Sequence, residues 1–260
     1  MFDISKHNPT WVLVAGDWHR NPHAAFPKKV IELAKSLQVD TILHVGDFGY
    51  KYGSTDAYMF EKPLHRALLE ADVKLVWVDG NHENHPMLNE LPRLDNGFVQ
   101  TGARGNIFYA PRGHRWEWTD RKFGALGGAW SPNWLRLEEG RTVFKDLEEP
   151  TWADFTKLGP EPLDYLVAHD VPERISLKTP FGPPKKTITR EILQKAVDVT
   201  KPARVFSGHW HQRLDYRLTR TDGLETLGHI LNREHNTDNV LILDLVSNEI
   251  VPLPYTWLHR

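Results

Sequence analysis

The chain has 260 residues, no cysteine and a formal net charge of −2. That length buries a substantial core without disulfides, and no basic block marks a long nucleic-acid footprint. No stretch approaches the roughly 20 apolar residues of a bilayer span, the start lacks a charged segment followed by an apolar run, and the missing thiols fit a reducing compartment. A cytoplasmic protein with no membrane partner is expected.

In chain order, residues 12–15 (VLVA) read as a short buried strand that stops at Gly16-Asp17-Trp18-His19. Val30, Leu33, Ala34 and Leu37 follow at helical spacing. Residues 41–45 (TILHV) form a second apolar run, ending at Gly46-Asp47, and Phe60, Leu64, Ala67, Leu68 and Ala71 mark a second helix. Residues 74–78 (KLVWV) then run into Asp79-Gly80-Asn81-His82. Strand, helix, strand, helix, strand predicts a parallel sheet with right-handed crossovers.

Beyond residue 96 the pattern changes to short strands at 98–100, 107–110, 115–118 and 123–126, parted by Gly and Pro turns. Residues 131–162 carry only weak helical signals. Residues 163–168 return to buried-strand character and end at His169-Asp170, and 176–186 (SLKTPFGPPKK) read as an exposed loop. Ile188, Ile192, Ala196 and Val199 mark a helix, and residues 203–207 a strand ending at Gly208-His209-Trp210-His211. The tail alternates strand-like segments, including 240–245 and 250–253. Nothing divides the composition, so one α/β domain over residues 1–260 is expected. Two small basic groupings, Arg112 with Arg115 and Lys185 with Lys186, are expected to be solvated loop positions.

Five apolar strands thus end in polar residues: Asp17 and His19, Asp47, Asn81 and His82, His169, and His209 with His211. Ligands of open α/β sheets gather at the carboxyl ends of strands. Each end alone is ordinary turn or cap chemistry; together they make a ligand set for divalent cations without thiolate, suited to manganese, iron, zinc, nickel or magnesium. Two neighbouring dications repel, so a shared carboxylate belongs between them, and Asp47 on an early strand is the natural bridge. Neutral imidazoles and the Asn81 amide oxygen add affinity while leaving the cations Lewis acidic.

The series Gly16-Asp17-Trp18-His19, Gly46-Asp47, Gly80-Asn81-His82-Glu83, His169 and Gly208-His209-Trp210-His211 resembles the calcineurin-like metallophosphoesterases, in their compact prokaryotic and phage form. The resemblance implies a four-layer αββα sandwich of two mixed sheets, and a hydrolase that uses two divalent cations, manganese first. It also implies that Asp17, His19 and His211 hold the first cation, that Asn81, His169 and His209 hold the second, and that Asp47 bridges them. His82 matches the family's histidine that is not a ligand but stabilises the transition state or protonates the leaving oxygen. In the protein-phosphatase branch an arginine follows the second block; here that stretch is Gly46-Asp47-Phe48-Gly49-Tyr50-Lys51-Tyr52-Gly53, with lysine in the arginine's place. Lysine offers charge without the bidentate fork, which favours a singly charged diester over a monoester dianion. The expected substrate is a small phosphodiester, a 2′,3′-cyclic nucleotide in particular. The alternatives are a nuclease on the same core, a phosphomonoesterase or protein phosphatase, and a non-catalytic scaffold, for which the full ligand set is superfluous. Arg20, Lys51 and His85 are candidates for phosphate contact or for solvated loop positions. Trp18 and Trp210 are expected to pack behind the cations, and Trp130 and Trp134 to line a pocket or fill the core.

Overall fold

A computed structural model describes residues 3–19, 22–51, 57–102, 105–131, 145–178 and 184–258. Its first sheet contains β1 (Trp11–Ala15), β2 (Thr41–His44), β3 (Lys74–Trp77), β4 (Val99–Gln100), β5 (Ile107–Tyr109), β12 (Val240–Asp244) and β13 (Glu249–Val251) in the order β13-β12-β1-β2-β3-β5-β4. The second contains β6 (Arg115–Trp118), β7 (Arg121–Leu126), β8 (Tyr165–Ala168), β9 (Arg204–Ser207), β10 (Leu214–Thr219) and β11 (Glu225–Ile230) in the order β10-β11-β9-β8-β7-β6. Both sheets are mixed. β1, β2, β3 and β5 run parallel, as do β7, β8, β9 and β11, and the remaining pairings are antiparallel.

Period-two alternation builds the layers. Val12, Val14, Leu43, Val45, Val76 and Val78 of the first sheet pack against Phe123, Ala125, Tyr165, Val167 and Phe206 of the second. The intervening residues Leu13, Ala15, Ile42, Leu75 and Trp77 turn outward onto α1 (Ala25–Ser36) and α2 (Ala57–Ala71), through Val30, Ala34, Phe60, Leu64 and Leu68. On the far side, Leu166, Ala168 and Val205 meet α5 (Trp152–Leu158) and α6 (Ile188–Thr200) through Leu158, Ile192, Ala196 and Val197. The result is the expected sandwich: helices, two mixed sheets, helices. The shorter helices are α3 (His85–Asn89), α4 (Lys145–Glu148) and α7 (Tyr255–Leu258). Among the described residues no helix is long and apolar enough to cross a membrane.

The register brings the functional ends level. Ala15 pairs with His44, His44 with Trp77 and Trp77 with Tyr109, while Leu126 pairs with Ala168 and Val167 with Phe206. Arg112 departs from expectation. It is not solvated: its guanidinium donates to Asp79 and to the carbonyls of Leu147, Glu148 and Glu149. The carboxylate and carbonyls give the cation a complete set of acceptors, so burial is tolerated. Arg115 likewise donates to the carbonyls of Leu158, Glu161 and Pro162.

Candidate metal centre

The ladder between β1 and β2 continues past the strand ends and positions the first two turns. Val45 N–H donates to the Ala15 carbonyl, Asp17 N–H to Gly46, and His19 N–H to Asp47, at 2.8, 2.9 and 2.9 Å. Gly16 admits the neighbouring strand, since a Cβ there would lie 2.5 Å from Val45 Cγ2. The turning is done by the candidate ligands themselves: Asp17, His19, Asp47, His209 and His211 have φ of 51°, 44°, 54°, 66° and 50°. Left-handed backbone at non-glycine residues is uncommon and concentrates at functional sites.

Asp47 sits at the centre. Its Oδ2 lies 3.2 Å from His19 Nε2, and its Oδ1 lies 3.2 Å from His169 Nε2. The ligand-type atoms form two groups that share it: Asp17, His19, Asp47 and His211, and Asp47, His169 and His209. Asn81 belongs to the second group by distance, its Oδ1 being 3.1 Å from His209 Nδ1. The amide orientation is set by Ser131, whose hydroxyl accepts from Asn81 Nδ2 at 2.7 Å. Asp17 receives the His209 N–H at 3.0 Å and faces His211 Nε2 at 3.5 Å. All seven residues expected as ligands therefore meet in one place, and His82 stands beside them: its Nε2 is 3.9 Å from Asp47 Oδ2 and its ring meets His19 edge-on at 5.2 Å.

The electrostatics follow from packing two carboxylates and several imidazoles out of water. Burial opposes ionisation of Asp47, but His169 and His82 beside it hold its carboxyl well below the usual carboxylate range. Burial also opposes a charged His169, yet Asp47 overrides it and pushes the ring up to about 9. His19 behaves the same way under Asp47 and Glu234 and rises well above its usual value. Burial pushes His209 down. His169 Nδ1 donates to the Val45 carbonyl at 2.8 Å, which leaves Nε2 as the atom facing Asp47. Among the described residues, the buried Nε2 atoms of His19 and His169 find no hydrogen bond. A nitrogen lone pair aimed at a carboxylate oxygen repels it; a proton resolves this in the bare chain, and a dication resolves it for both donors at once. The residues therefore fit two oxygen- and nitrogen-liganded divalent cations.

Three partners carried no signal strong enough to find in the sequence. Glu234 Oε2 accepts from His19 Nδ1 at 2.9 Å, across 215 positions of chain. Ser131 acts through the Asn81 amide. Glu83, the last residue of the Gly80-Asn81-His82-Glu83 motif, accepts from the backbone N–H groups of Phe48, Gly49 and Tyr50 at 2.9, 2.9 and 2.6 Å, and of Gly80 at 3.3 Å. Burial pushes its carboxyl up to about 8, while the hydrogen bonds favour the carboxylate. Every bond shown to Glu83 comes from a donor, so the ionised form fits this cradle.

Other candidates divide. Trp18 is buried in the core edge-on to His44, as expected, and Trp210 is half-buried and donates to Asp170 at 2.8 Å. His85 is neither solvated nor a phosphate contact: it is buried 3.8 Å from Asp79, and burial with nearby Arg112 lowers it to about 4. Lys51 Nζ lies 5.4 Å from the Tyr50 ring. Trp130 is half-buried with Lys185 Nζ 5.0 Å from its ring. Arg20, Tyr52, Gly53 and Trp134 lie outside the described residues.

The family model described as calcineurin-like phosphoesterase matches residues 10–213. No curated protein matches the sequence. Among solved structures, a dimetal phosphatase from Danio rerio is similar at 12% identity, covering 92% of this chain and 93% of its own, with a TM-score of 0.56. GAP50, the anchor in the inner membrane complex of Plasmodium, is similar at 11% identity over 95% and 88%, with a TM-score of 0.50. An archaeal phosphodiesterase matches at 13% identity over 93% and 97%, with a TM-score of 0.42. At these identities the likeness to the Danio rerio phosphatase and to GAP50 speaks for the fold alone.

Proposed function

The chain belongs to the calcineurin-like phosphoesterases, and from that premise we propose that it is a two-metal phosphodiesterase acting on small diesters, 2′,3′-cyclic nucleotides first among them. The observation that carries the reading is the Asp47 carboxylate, whose two oxygens face imidazoles of two different ligand groups at 3.2 Å each. Asp17, His19 and His211 would hold one cation, Asn81, His169 and His209 the other, and Asp47 both. Manganese is the preferred metal for this mixed set of carboxylate, imidazole and amide donors. Bound there, the cations supply Lewis acidity toward the phosphoryl oxygens and lower the pKa of water.

The chain's own residues do the rest. His82 stands beside the cluster, its Nε2 3.9 Å from Asp47 Oδ2, and from there its ring protonates the departing oxygen. The backbone hydrogen bond from His82 N–H to Asp47 Oδ1, at 2.9 Å, holds it there. Lys51, in place of an arginine fork, supports the preference for one negative charge over two. The test is a panel with manganese: bis(p-nitrophenyl) phosphate, p-nitrophenyl phosphate, 2′,3′- and 3′,5′-cyclic nucleotides, and single-stranded DNA. The expected result is the highest kcat/KM for a 2′,3′-cyclic nucleotide. Faster turnover of the monoester, or of DNA, would replace the diester reading with a phosphatase or a nuclease.

A further inference from the structure

We infer that Glu234 is a positioning residue for the first cation, acting through His19; this rests on the two-metal reading above. The matched family segment ends at residue 213, so Glu234 comes from a part of the chain that the family model does not describe. It lies between β11 and β12, on a loop tied to the first ligand turn by its backbone. Glu234 N–H donates to the Asp17 carbonyl at 3.1 Å, and Asn239 Nδ2 donates to the Gly16 carbonyl at 2.6 Å and to the Asn232 carbonyl. With the loop anchored independently, the Glu234 side chain has one hydrogen-bonded partner shown beyond its own loop, His19 Nδ1 at 2.9 Å, and it is half-buried at 18% exposure.

An imidazole has two nitrogens, and only the unprotonated one binds a cation. By accepting from Nδ1–H, the Glu234 carboxylate keeps the proton there and leaves Nε2 to face Asp47 Oδ2. It also locks the ring's rotation and makes Nε2 a stronger donor. Carboxylate partners of this kind typically change metal affinity by about 10–100-fold. In the second group a neutral backbone acceptor, the Val45 carbonyl, does the orienting for His169. The two sites are therefore built unequally: the first gains a second-layer negative charge that no second-group histidine is shown to receive from a hydrogen-bonded carboxylate among the described residues. The expected consequence is ordered filling, first site before second.

The experiment titrates cobalt(II) into wild-type, Glu234→Gln, Glu234→Ala and His19→Ala proteins, following heat and visible absorption, with the melting temperature of each metal-free protein as a fold control. Wild type should bind two ions in separable steps. Glu234→Ala should weaken the tighter step by about 10–100-fold and change its absorption band, with the other step and the metal-free melting temperature held. Glu234→Gln, whose amide oxygen still accepts from Nδ1–H, should fall between them. His19→Ala should abolish the tighter step. If Glu234→Ala retains both affinities, or loses both equally along with metal-free stability, the positioning role is wrong. If wild-type protein takes up no cobalt, the two-metal reading fails and this role with it.

Discussion

At the scale of single residues, the centre is a set of side chains with opposed demands for charge. Asp47 is the one both ligand groups need. Asp47→Ala is expected to eliminate uptake of two ions and to lower kcat/KM by at least about a thousandfold, as loss of a two-metal template implies; calorimetric stoichiometry and steady-state rates check it together. His82→Ala separates ligand from acid. It should leave manganese stoichiometry unchanged while kcat falls by about 10²–10⁴, most for diesters with poor leaving groups. Loss of an ion in that variant would make His82 a ligand.

His44 belongs to neither group. It is fully buried between Trp18 and Phe48, and among the described residues neither ring nitrogen has a hydrogen bond. Burial, with His169 nearby, holds its pKa well below the usual value, so the folded state keeps it neutral. A histidine depressed in this way supports stability above its unfolded pKa near 6.5 and withdraws that support as the pH falls below it. His44→Leu, of similar size, should therefore stabilise the protein by about 1–3 kcal/mol at neutral pH. It should also flatten the loss of stability on acidification below about 6.5. Urea denaturation at several pH values reads both.

At the scale of elements, strands and helices with a strong period were legible because each buries one face against a defined layer. β1, β2, β3, α1 and α2 follow the pattern of apolar residues closely. Ligand-type residues after five strands were legible for the same reason, since side chains at the carboxyl end of a parallel strand have little to do in the core. The turns between were less so. Nothing in the letters says that Asp17 or Asp47 adopts left-handed backbone, because that geometry is imposed by hydrogen bonds from one turn to the next. Arg112 read as a solvated loop residue because its acceptors, the Asp79 side chain and the carbonyls at residues 147–149, are assembled only by the fold. Glu234 was invisible for the same reason.

Gly46 shows how tightly one element fits its neighbour. Its φ is +97°, and an added Cβ would lie 2.5 Å from His169 Nδ1 and 2.6 Å from Cγ. Gly46→Ala should cost about 2–3 kcal/mol from strain and overlap combined. It should also weaken the cation step assigned to His169, His209 and Asn81 more than the other. Chemical denaturation of the metal-free variant, beside a metal titration, distinguishes the two effects.

At the scale of the molecule, two sheets donate to one centre: Asp17, His19, Asp47 and Asn81 follow strands of the first, His169, His209 and His211 strands of the second. A cation held by residues of both would crosslink the sandwich across its mouth. Free manganese at about a hundredfold its Kd adds about 2.7 kcal/mol per site, which for a chain of this size should raise Tm by roughly 5–10 °C per site. A chelator should return Tm to the metal-free value, and a Tm indifferent to manganese would count against the whole arrangement.

The pairing of β1 with β12 sets an order of assembly. Residues 11–15 lie between β2 and residues 240–244 in the first sheet, with Trp11 opposite Asp244 and Ala15 opposite Val240. During synthesis the strand bearing the first ligands must wait, one edge bare, until residues 240–244 have left the ribosome. Contacts this distant in sequence form slowly and leave an apolar edge open meanwhile. A fragment stopping at residue 213 would carry every proposed ligand and His82, yet lack the strand that closes that edge and the loop that braces His19. Possession of the motif and possession of a working centre are thus separated by the last fifth of the chain.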